Sequence, residues 1–198
     1  LTQLGSRECV AKITGKAFSE QEPGIQVTIF QGIPKSGKME GIIQKSVELG
    51  VSSIVPTALD RCVAKLDQGK KQTEKLKRWN RVALEAAKQC GRGKVPMVLP
   101  QMDLREALAQ IKAMDLGLMP YEVLGHMGDH SLKSILQAGN PSSIGILIGP
   151  EGGFDESEIA LAQENGISPI TLGKRILRTE TAGMAVLSVL MFQLEGRE

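Results

Sequence analysis

Residues 143–154 read SIGILIGPEGGF, and residues 170–183 read ITLGKRILRTETAG. Each stretch is a short apolar run that ends in a glycine-containing loop and then opens a helical pattern. In a parallel sheet, such loops leave the carboxyl ends of the strands and meet at one edge, where α/β proteins bind their ligands. The two stretches therefore predict two neighbouring strands of one parallel sheet, with a single pocket formed by their loops.

The first loop contains three glycines and is followed by the predicted start of a helix. Gly149, Gly152 and Gly153 follow the apolar run directly and carry no side chains, which would let a flat ligand approach the backbone closely. Asp155 with Glu158 three residues later is the pattern of a capping box and predicts a helix that begins where the loop ends. A tight turn without a ligand is the alternative interpretation of the glycines alone.

The second loop carries polar side chains just ahead of an apolar helix that is predicted to run to about Leu194. Arg178, Thr179 and Glu180 lie within it, close to the carboxyl end of the preceding strand. Polar and charged side chains in that position favour a ligand site over a plain turn.

Strand-like segments alternate with helix-like segments through the rest of the chain. An amphipathic helix is predicted over residues 73–90, where apolar positions recur at helical spacing with charges opposite. Further strands are predicted at residues 25–30, 53–56, 95–99 and 116–121, and further helices at residues 38–49 and 104–114. This alternation predicts an α/β fold, with a mostly parallel sheet that has helices on both faces.

Length and composition suit one substantial α/β domain with a small appendage, since the chain has 198 residues and 41% of them are hydrophobic. Pro23 and Gly24 mark the boundary, and residues 9–13 alternate loosely as a strand before it. Three cysteines without C-x-x-C spacing predict neither a disulfide framework nor a zinc site. We expect a soluble cytoplasmic protein, because no signal peptide or membrane-spanning stretch is evident.

The net charge is only +2, but the positive charges are unevenly distributed. Lys and Arg strongly outnumber Asp and Glu between residues 60 and 94, which is typical of a surface that contacts RNA phosphates. The residues predicted to contact RNA are Lys35, Lys38, Lys75, Arg78, Arg81 and Arg92. A solvated helix face is the alternative interpretation of this basic segment.

Residues 32–39, GIPKSGKM, nearly match the phosphate-binding pattern G-x-x-x-x-G-K-[ST]. Met39 stands where a hydroxyl would bind magnesium, and Pro34 removes a backbone N–H from the loop. The segment therefore does not predict nucleotide hydrolysis.

His126 and His130 are four residues apart, a spacing that can bind a metal on one helix face. Gly125 and Gly128 disfavour a helix there, and no third ligand follows in the sequence. No metal site is predicted. Tyr121 and Glu122, which end a predicted strand, are expected near the two glycine loops.

Four separated motifs resemble the RsmE family, the bacterial 16S ribosomal RNA (uracil-N3) methyltransferases of the SPOUT superfamily. The motifs are LIGPEGGF at residues 147–154, LGKRILRTETA at 172–182, KMEGIIQKSVELGV at 38–51 and RWNRVALEAAKQCGR at 78–92. The resemblance extends from about residue 25 to the C-terminus, with the motifs in the family's order.

The resemblance implies a fold, a cofactor and a substrate. It implies a SPOUT methyltransferase domain over residues 23–198 with a C-terminal trefoil knot, preceded at residues 1–22 by the last piece of a PUA-like RNA-binding β-barrel. S-adenosylmethionine would be the methyl donor, without a metal. The acceptor would be N3 of a 16S ribosomal RNA uridine, uracil 1498 in the usual ribosomal RNA numbering.

The resemblance also assigns roles to the two loops. Arg178 is expected to stabilise negative uracil oxygens, and Glu180 to take the imide proton; an Arg–Glu pair that only fixes the loop is the alternative. The residues expected to bind the cofactor are Met119, Pro120, Ile148, Gly149, Pro150, Glu151, Gly152, Gly153, Leu172, Gly173, Ile176, Leu177 and Thr181.

The C-terminal helix is apolar nearly all the way round over residues 182–192, which predicts that it is covered on more than one face. A central helix of a monomer would satisfy this pattern. SPOUT relatives pair through this region, so the resemblance implies a homodimer in which Met184 and Leu187 face the partner.

Two other functions are compatible with the sequence. A SPOUT methyltransferase with a different RNA substrate would share the cofactor loops. A non-catalytic RNA-binding module is less favoured, because aromatic residues make up only 3% of the chain and few are available to stack on bases.

Overall fold

The computed structural model describes residues 2–17, 19–35, 37–63, 69–121, 132–137 and 139–195. The expectations for Glu122, His126 and His130 lie outside these residues.

The described residues form short strands and longer helices that mostly alternate along the chain. The strands are β1 (Gln3–Leu4), β2 (Cys9–Val10), β3 (Gln26–Gly32), β4 (Ser53–Ala58), β5 (Met97–Val98), β6 (Met102–Asp103), β7 (Leu116–Pro120), β8 (Ser143–Ile148) and β9 (Ser168–Ile170). The helices are α1 (Lys38–Glu48), α2 (Lys70–Gln89), α3 (Leu104–Lys112), α4 (Leu132–Gln137), α5 (Glu156–Glu164) and α6 (Thr179–Leu194).

Strands β3 to β9 form one sheet in the order β5-β4-β3-β8-β7-β9, with β6 beside the end of β4. Every pairing in this sheet is parallel, which confirms the predicted sheet type. The prediction that the strands of the two glycine loops are neighbours is wrong, because β7 lies between β8 and β9. The reason is that β7 pairs with both of them, through Leu118 with Ile146 on one side and with Ser168 on the other.

Apolar side chains cover both faces of the sheet, because successive residues of a strand point to opposite sides. On one face, Ile29 and Ile146 pack with residues of α1, α2, α4 and α6. On the other face, Phe30 and Leu147 pack with residues of α3 and α5. Helices therefore cover both faces of the sheet, as predicted.

Local sequence signals account for the helix ends near the sheet edge. Asp155 caps α5 and the carboxylate of Glu158 accepts a hydrogen bond from the Asp155 backbone N–H, so the predicted capping box is confirmed. Asp103 and Glu106 form a second capping box at the start of α3. Helix α1 ends at Glu48 with Leu49 as its C-cap residue, and the following Gly50 has a φ of 93°, a left-handed conformation that favours glycine.

The C-terminal helix α6 is mostly buried against the sheet. Val186, Leu187 and Leu190 are fully buried within this chain, so the prediction that Leu187 faces a partner is wrong: its side chain belongs to the core. Val189 and Phe192 point outwards instead, and Phe192 is 83% exposed.

The described residues before the boundary at Pro23 are largely exposed. Strands β1 and β2 pair antiparallel, and every described residue from 2 to 17 is exposed. The predicted strand over residues 9–13 is thus reduced to Cys9–Val10. The assignment of this segment to a PUA-like domain stays a prediction, as does the knot.

Candidate active site

A cavity of about 590 Å³ opens at the carboxyl edge of the sheet, where β7, β8 and β9 end. Both glycine loops contribute to its wall, and Pro120 and Tyr121 at the end of β7 form a third side. Tyr121 is fixed there because its backbone N–H donates to Ile170 at the end of β9. The remaining wall residues are Lys38, Arg61, Ile148, Gly149, Pro150, Glu151, Gly152, Gly153, Phe154, Leu172, Gly173, Arg175, Ile176, Leu177, Arg178, Thr179 and Ala182.

One hydroxyl group joins the two loops. Thr179, the first residue of α6, donates from Oγ1 to the carbonyl oxygen of Gly149 at 2.6 Å. Thr179 Oγ1 also accepts a hydrogen bond of 2.8 Å from Nε2 of Gln31, at the end of β3. The start of the first loop, the start of α6 and the end of β3 are therefore held together at one point.

Lys38 lies between two carboxylates beside the cavity. Its ammonium group is 3.0 Å from Glu151 in the first loop and 3.2 Å from Glu180 in α6. Hydrogen bonds to these two carboxylates raise the pKa of Lys38. The ion pairs connect the start of α1 to both loops of the cavity.

The two carboxylates respond in the opposite direction. Partial burial would raise the pKa of Glu151, but hydrogen bonds from its own backbone N–H and from Lys38 outweigh it and lower the pKa. The pKa of Glu180 is lowered by its own backbone N–H, despite some burial, and further by Lys38. Both groups are therefore ionised near neutral pH.

A second set of contacts fixes the far side of the first loop. Arg61 donates to the carbonyl oxygen of Gly152 at 3.3 Å and pairs with Asp155 at 3.2 Å. The buried carboxylate of Glu158 accepts from the amide of Asp60 at 2.8 Å as well as from Asp155. The chain after β4 therefore supports the loop that carries the glycines.

Two glycines of the first loop lack side chains for a packing reason as well, and their predicted contact with a ligand stays a prediction. A Cβ atom on Gly152 would lie 2.9 Å from the side chain of Arg61, and one on Gly149 would lie 3.2 Å from the ring of Phe154. These positions lack side chains because other parts of the protein occupy the space. In the second loop, Gly173 has open space around it but a φ of 103°, which favours glycine on backbone grounds.

Most of the residues predicted to bind the cofactor lie in the cavity wall. Met119 does not, because its side chain is fully buried in the core, in the cluster that also contains residues of α3 and α5. Thr181 is exposed on the first turn of α6 and is not among the described wall residues. The other residues predicted to bind the cofactor all lie in the cavity wall, as expected if the two loops form one pocket.

Of the two predicted catalytic residues, Arg178 lines the cavity. It is the exposed N-cap residue of α6. Glu180 is directed instead to Lys38, and it is not among the described wall residues.

The basic residues predicted to contact RNA have diverging environments. The prediction that Arg92 contacts RNA is wrong. Its side chain is only 6% exposed, pairs with Glu22 at 2.8 Å and donates to the carbonyl oxygens of Val47 and Val51. Arg92 links the end of α2 to the segment that precedes β3, so its role is structural. Arg78 and Arg81 are exposed on α2, with Arg78 paired to Glu40.

Several wall residues were not assigned from the sequence. Arg61 follows β4, far from the glycine motifs, and only the fold brings it to the cavity. Phe154, Arg175 and Thr179 are inside the motifs, so their position beside assigned residues was the available signal. Gln31 supports the wall without being part of it, and the sequence held no signal for it, since it stands as an ordinary polar residue just after a predicted strand.

The described part of the chain has neither a metal-binding cluster nor a membrane-spanning helix. No group of three or more His, Cys, Asp or Glu side chains there could hold a metal ion. None of the described helices is long and apolar enough to cross a membrane.

These features define an α/β domain with a small-molecule site at the carboxyl edge of a parallel sheet. The family model described as RNA methyltransferase domain matches residues 20–191. The chain is 39% identical over 178 residues to the ribosomal RNA small subunit methyltransferase E of Bacillus subtilis, which covers 88% of this chain and 69% of that protein. It is 36% identical to the protein of that name from Mesomycoplasma hyopneumoniae, covering 95% of this chain and 79% of the relative.

A solved structure shows the same fold. The ribosomal RNA small subunit methyltransferase E of Neisseria gonorrhoeae, bound to S-adenosylmethionine, superposes with a TM-score of 0.78 at 35% identity, over 89% of this chain and 69% of that one. The chain therefore belongs to the ribosomal RNA small subunit methyltransferase E family, as its motifs predicted.

Proposed function

We propose that this protein transfers a methyl group from S-adenosylmethionine to N3 of a uridine in 16S ribosomal RNA, uracil 1498 in the usual numbering. The observation that carries the proposal is the cavity built from both motif loops at the carboxyl edge of the sheet. Family membership and the cofactor of the Neisseria gonorrhoeae relative support the choice of S-adenosylmethionine.

The residues of the cavity fit this cofactor. A volume of about 590 Å³ lies within the range of about 300–1,000 Å³ typical of cofactor sites. Ile148, Leu172 and Pro120 offer apolar surface to an adenine ring, and the adjoining loop backbone offers hydrogen-bonding groups to its edge. Glu151 is a wall residue whose carboxylate can interact favourably with the cationic end of the methionine part.

S-adenosylmethionine would supply an electrophilic methyl group on a positively charged sulfur, and the S–CH3 bond would break as the methyl group is transferred, with S-adenosylhomocysteine as the leaving group. The uracil N3 must lose its proton before it can form the new N–C bond, and negative charge then spreads over the two uracil oxygens. Arg178 is suited to stabilise that charge, because its planar guanidinium donates two parallel hydrogen bonds. Its place in the cavity wall at the start of α6 supports this role.

Glu180 is less suited to accept the proton than the sequence suggested. Its lowered pKa makes its carboxylate a weak base, and its ion pair with Lys38 directs the side chain towards α1. Both observations favour a role in fixing the second loop. The charge stabilisation at Arg178 lowers the pKa of the imide, so the proton can pass to water.

The outer face of α2 is the proposed contact for the RNA backbone. Lys77, Arg78 and Arg81 are exposed along this helix, and Lys71 extends the same basic surface towards its start. Lys75 and Lys35 are retained as proposed contacts. A basic surface binds RNA phosphates whatever the nucleotide sequence. This suits an enzyme that selects its target base in the cavity.

We also propose that two copies pair through α6. Val189 and Phe192 are exposed on this mostly buried helix, and apolar side chains of this size favour an interface when they lie together. A homodimer would act on the ribosomal RNA or the small ribosomal subunit in the cytoplasm. A trefoil knot and a PUA-like N-terminal domain would complete the family's architecture.

The deciding experiment is methylation of 16S ribosomal RNA by the purified protein with isotopically labelled S-adenosylmethionine, followed by mass mapping of the RNA. One methyl group on one uracil N3 is expected. Methylation of another base or of a ribose hydroxyl would replace the proposed substrate. Binding of ATP with magnesium, in a protein that does not bind S-adenosylmethionine, would overturn the proposal.

A further inference from the structure

The hydroxyl of Thr179 is the shortest connection between the two loops of the cavity, and a buried amide holds it in place. Gln31 is fully buried, and its Nε2 donates to Thr179 Oγ1 at 2.8 Å and to the carbonyl oxygen of Gly32 at 3.0 Å. Gln31 is not in the cavity wall. Its side-chain amide is linked to the cavity wall by the hydrogen bond to Thr179.

The direction of these hydrogen bonds follows from the acceptors. The carbonyl oxygen of Gly149 can only accept a hydrogen bond, so the single hydroxyl proton of Thr179 is donated in that 2.6 Å contact. Thr179 Oγ1 can therefore only accept from Gln31, and the carbonyl of Gly32 also requires a donor. Both contacts are satisfied only when the amide nitrogen of Gln31 points towards them.

This orientation leaves the other end of the amide unpaired. Gln31 Oε1 is buried and has no hydrogen-bond partner among the described residues. An unpaired buried oxygen costs stability, whereas a methionine would fill similar space without that cost. Gly183 of α6 lies beside it, since a Cβ there would be 3.9 Å from Oε1, so the helix packs closely over this amide.

We propose that Gln31 and Thr179 are positioning residues that set the separation of the two loops, and through it both the affinity for S-adenosylmethionine and the placement of Arg178. Thr179 directly follows Arg178 in the chain and binds Gly149 in the opposite wall. A shift of Thr179 therefore changes the cavity width and the Arg178 position together. The inference rests on the proposed function of the same cavity.

Two near-isosteric variants test this role in the full chain. Thr179→Val removes the hydroxyl, and Gln31→Met removes the amide. Each is expected to weaken S-adenosylmethionine binding about tenfold in calorimetry, the scale of one hydrogen bond removed from a buried site. Each should also lower kcat for methylation, because Arg178 is displaced. Thr179→Ser keeps the hydroxyl and should restore both values.

Thermal unfolding separates positioning from a merely structural role. Gln31→Met removes an unpaired buried oxygen but also the donor to the carbonyl oxygen of Gly32, so its Tm is expected to stay close to that of the wild type, while its affinity for S-adenosylmethionine falls. Ser46→Ala is the matched control. Ser46 Oγ is also buried without a partner among the described residues, but it lies in α1 and outside the cavity wall. This control should leave S-adenosylmethionine affinity unchanged.

The outcomes distinguish this inference from the proposed function. If the wild type binds no S-adenosylmethionine, the proposed function fails. If the wild type binds it and Gln31→Met binds it equally well with unchanged kcat, the positioning role is refuted. Should Thr179→Val fail to fold, Gln31→Met and Thr179→Ser decide the question alone.

Discussion

Arg92 and Glu22 form a nearly buried ion pair, with 2.8 Å between Nη2 and Oε2 and side-chain exposures of 6% and 12%. The pair joins the end of α2 to the segment before β3, and Glu22 also accepts from the backbone N–H of Lys94 at 2.9 Å. Burial would raise the pKa of Glu22, but the hydrogen bonds from Arg92 and Lys94 outweigh it and lower the pKa. A positive charge suggested for RNA binding thus stabilises the fold.

Arg92→Met is therefore expected to lower the free energy of unfolding by about 3–5 kcal/mol, since it leaves the carboxylate of Glu22 without its ion-pair partner and removes the side-chain donor to the carbonyl oxygen of Val51. Urea unfolding measures this change. Arg81→Met, on the exposed face of the same basic segment, should change stability by less than about 0.5 kcal/mol. A stable Arg92→Met protein with weakened RNA binding would reinstate the original prediction for Arg92.

For the basic face of α2, Lys77→Gln combined with Arg81→Gln should weaken RNA binding. The slope of log affinity against log salt should fall by about 1 for each phosphate that the variant no longer neutralises. Filter binding over a salt series measures both quantities. S-adenosylmethionine affinity should not change, because neither residue lies in the cavity wall. An unaltered salt slope would show that this helix face is merely solvated.

Arg178→Lys should lower kcat for methylation by at least about tenfold, and Arg178→Ala by about a hundredfold, because lysine keeps the charge but loses the planar pair of donors. Arg105→Ala, an exposed position on α3, is the control and should be as active as the wild type. Single-turnover kinetics with labelled cofactor measure the rates. Full activity in Arg178→Ala would remove this residue from the mechanism.

The ion pairs of Lys38 predict a pH dependence. Glu151 and Glu180 have pKa values below their ordinary 4.5, so their contribution to stability is present above that pH and is lost as the pH falls through the lowered values. Lys38 has a pKa above its ordinary 10.5, so its contribution is present below pH 10.5 and is lost as the pH rises through the raised value.

The difference in Tm between the wild type and Lys38→Met should consequently be largest between these limits and shrink as the pH falls through the lowered pKa values of the two carboxylates. Thermal unfolding across this pH range provides the measurement. Lys45→Met breaks a more exposed pair with Glu48 on α1 and should have a smaller effect at every pH. Equal effects of the two variants would mean that Lys38 is an ordinary surface residue.

The proposed dimer is best tested with residues that are exposed in the single chain. Phe192→Asp with Val189→Glu should give a folded monomer in sedimentation, with reduced methylation. Leu187→Asp would not be informative, because Leu187 is fully buried within this chain and its replacement would unfold the protein. A wild type that is monomeric and fully active at micromolar concentration would contradict the dimer.

The motifs allowed the chemistry-bearing loops to be predicted because their signals are local. A capping box such as Asp155 with Glu158, or an apolar run before a glycine loop, is contained in a few consecutive residues. The strand order was not predictable in this way. The position of β7 between β8 and β9 depends on pairings between distant segments. The local sequence of the two loops contains no information about these pairings.

The same limit explains why the partners of two charged residues were not predicted. Arg92 and Lys38 stand in basic or loop sequence and look solvent-facing, but the carboxylates that pair with them lie 70 and 142 positions away for Glu22 and Glu180. A charge count along the chain records the cations and cannot register distant partners. Only the folded arrangement shows which positive charges remain available to RNA.

The contact between Gln31 and Thr179 spans 148 positions of the chain. During synthesis, Gln31 leaves the ribosome long before α6 does, so its hydrogen bond with Thr179 cannot form until almost every other element has been made. The cavity therefore acquires its final dimensions only when α6 docks. A nascent chain should gain affinity for S-adenosylmethionine in one late step, which makes cofactor binding a reporter of completed folding.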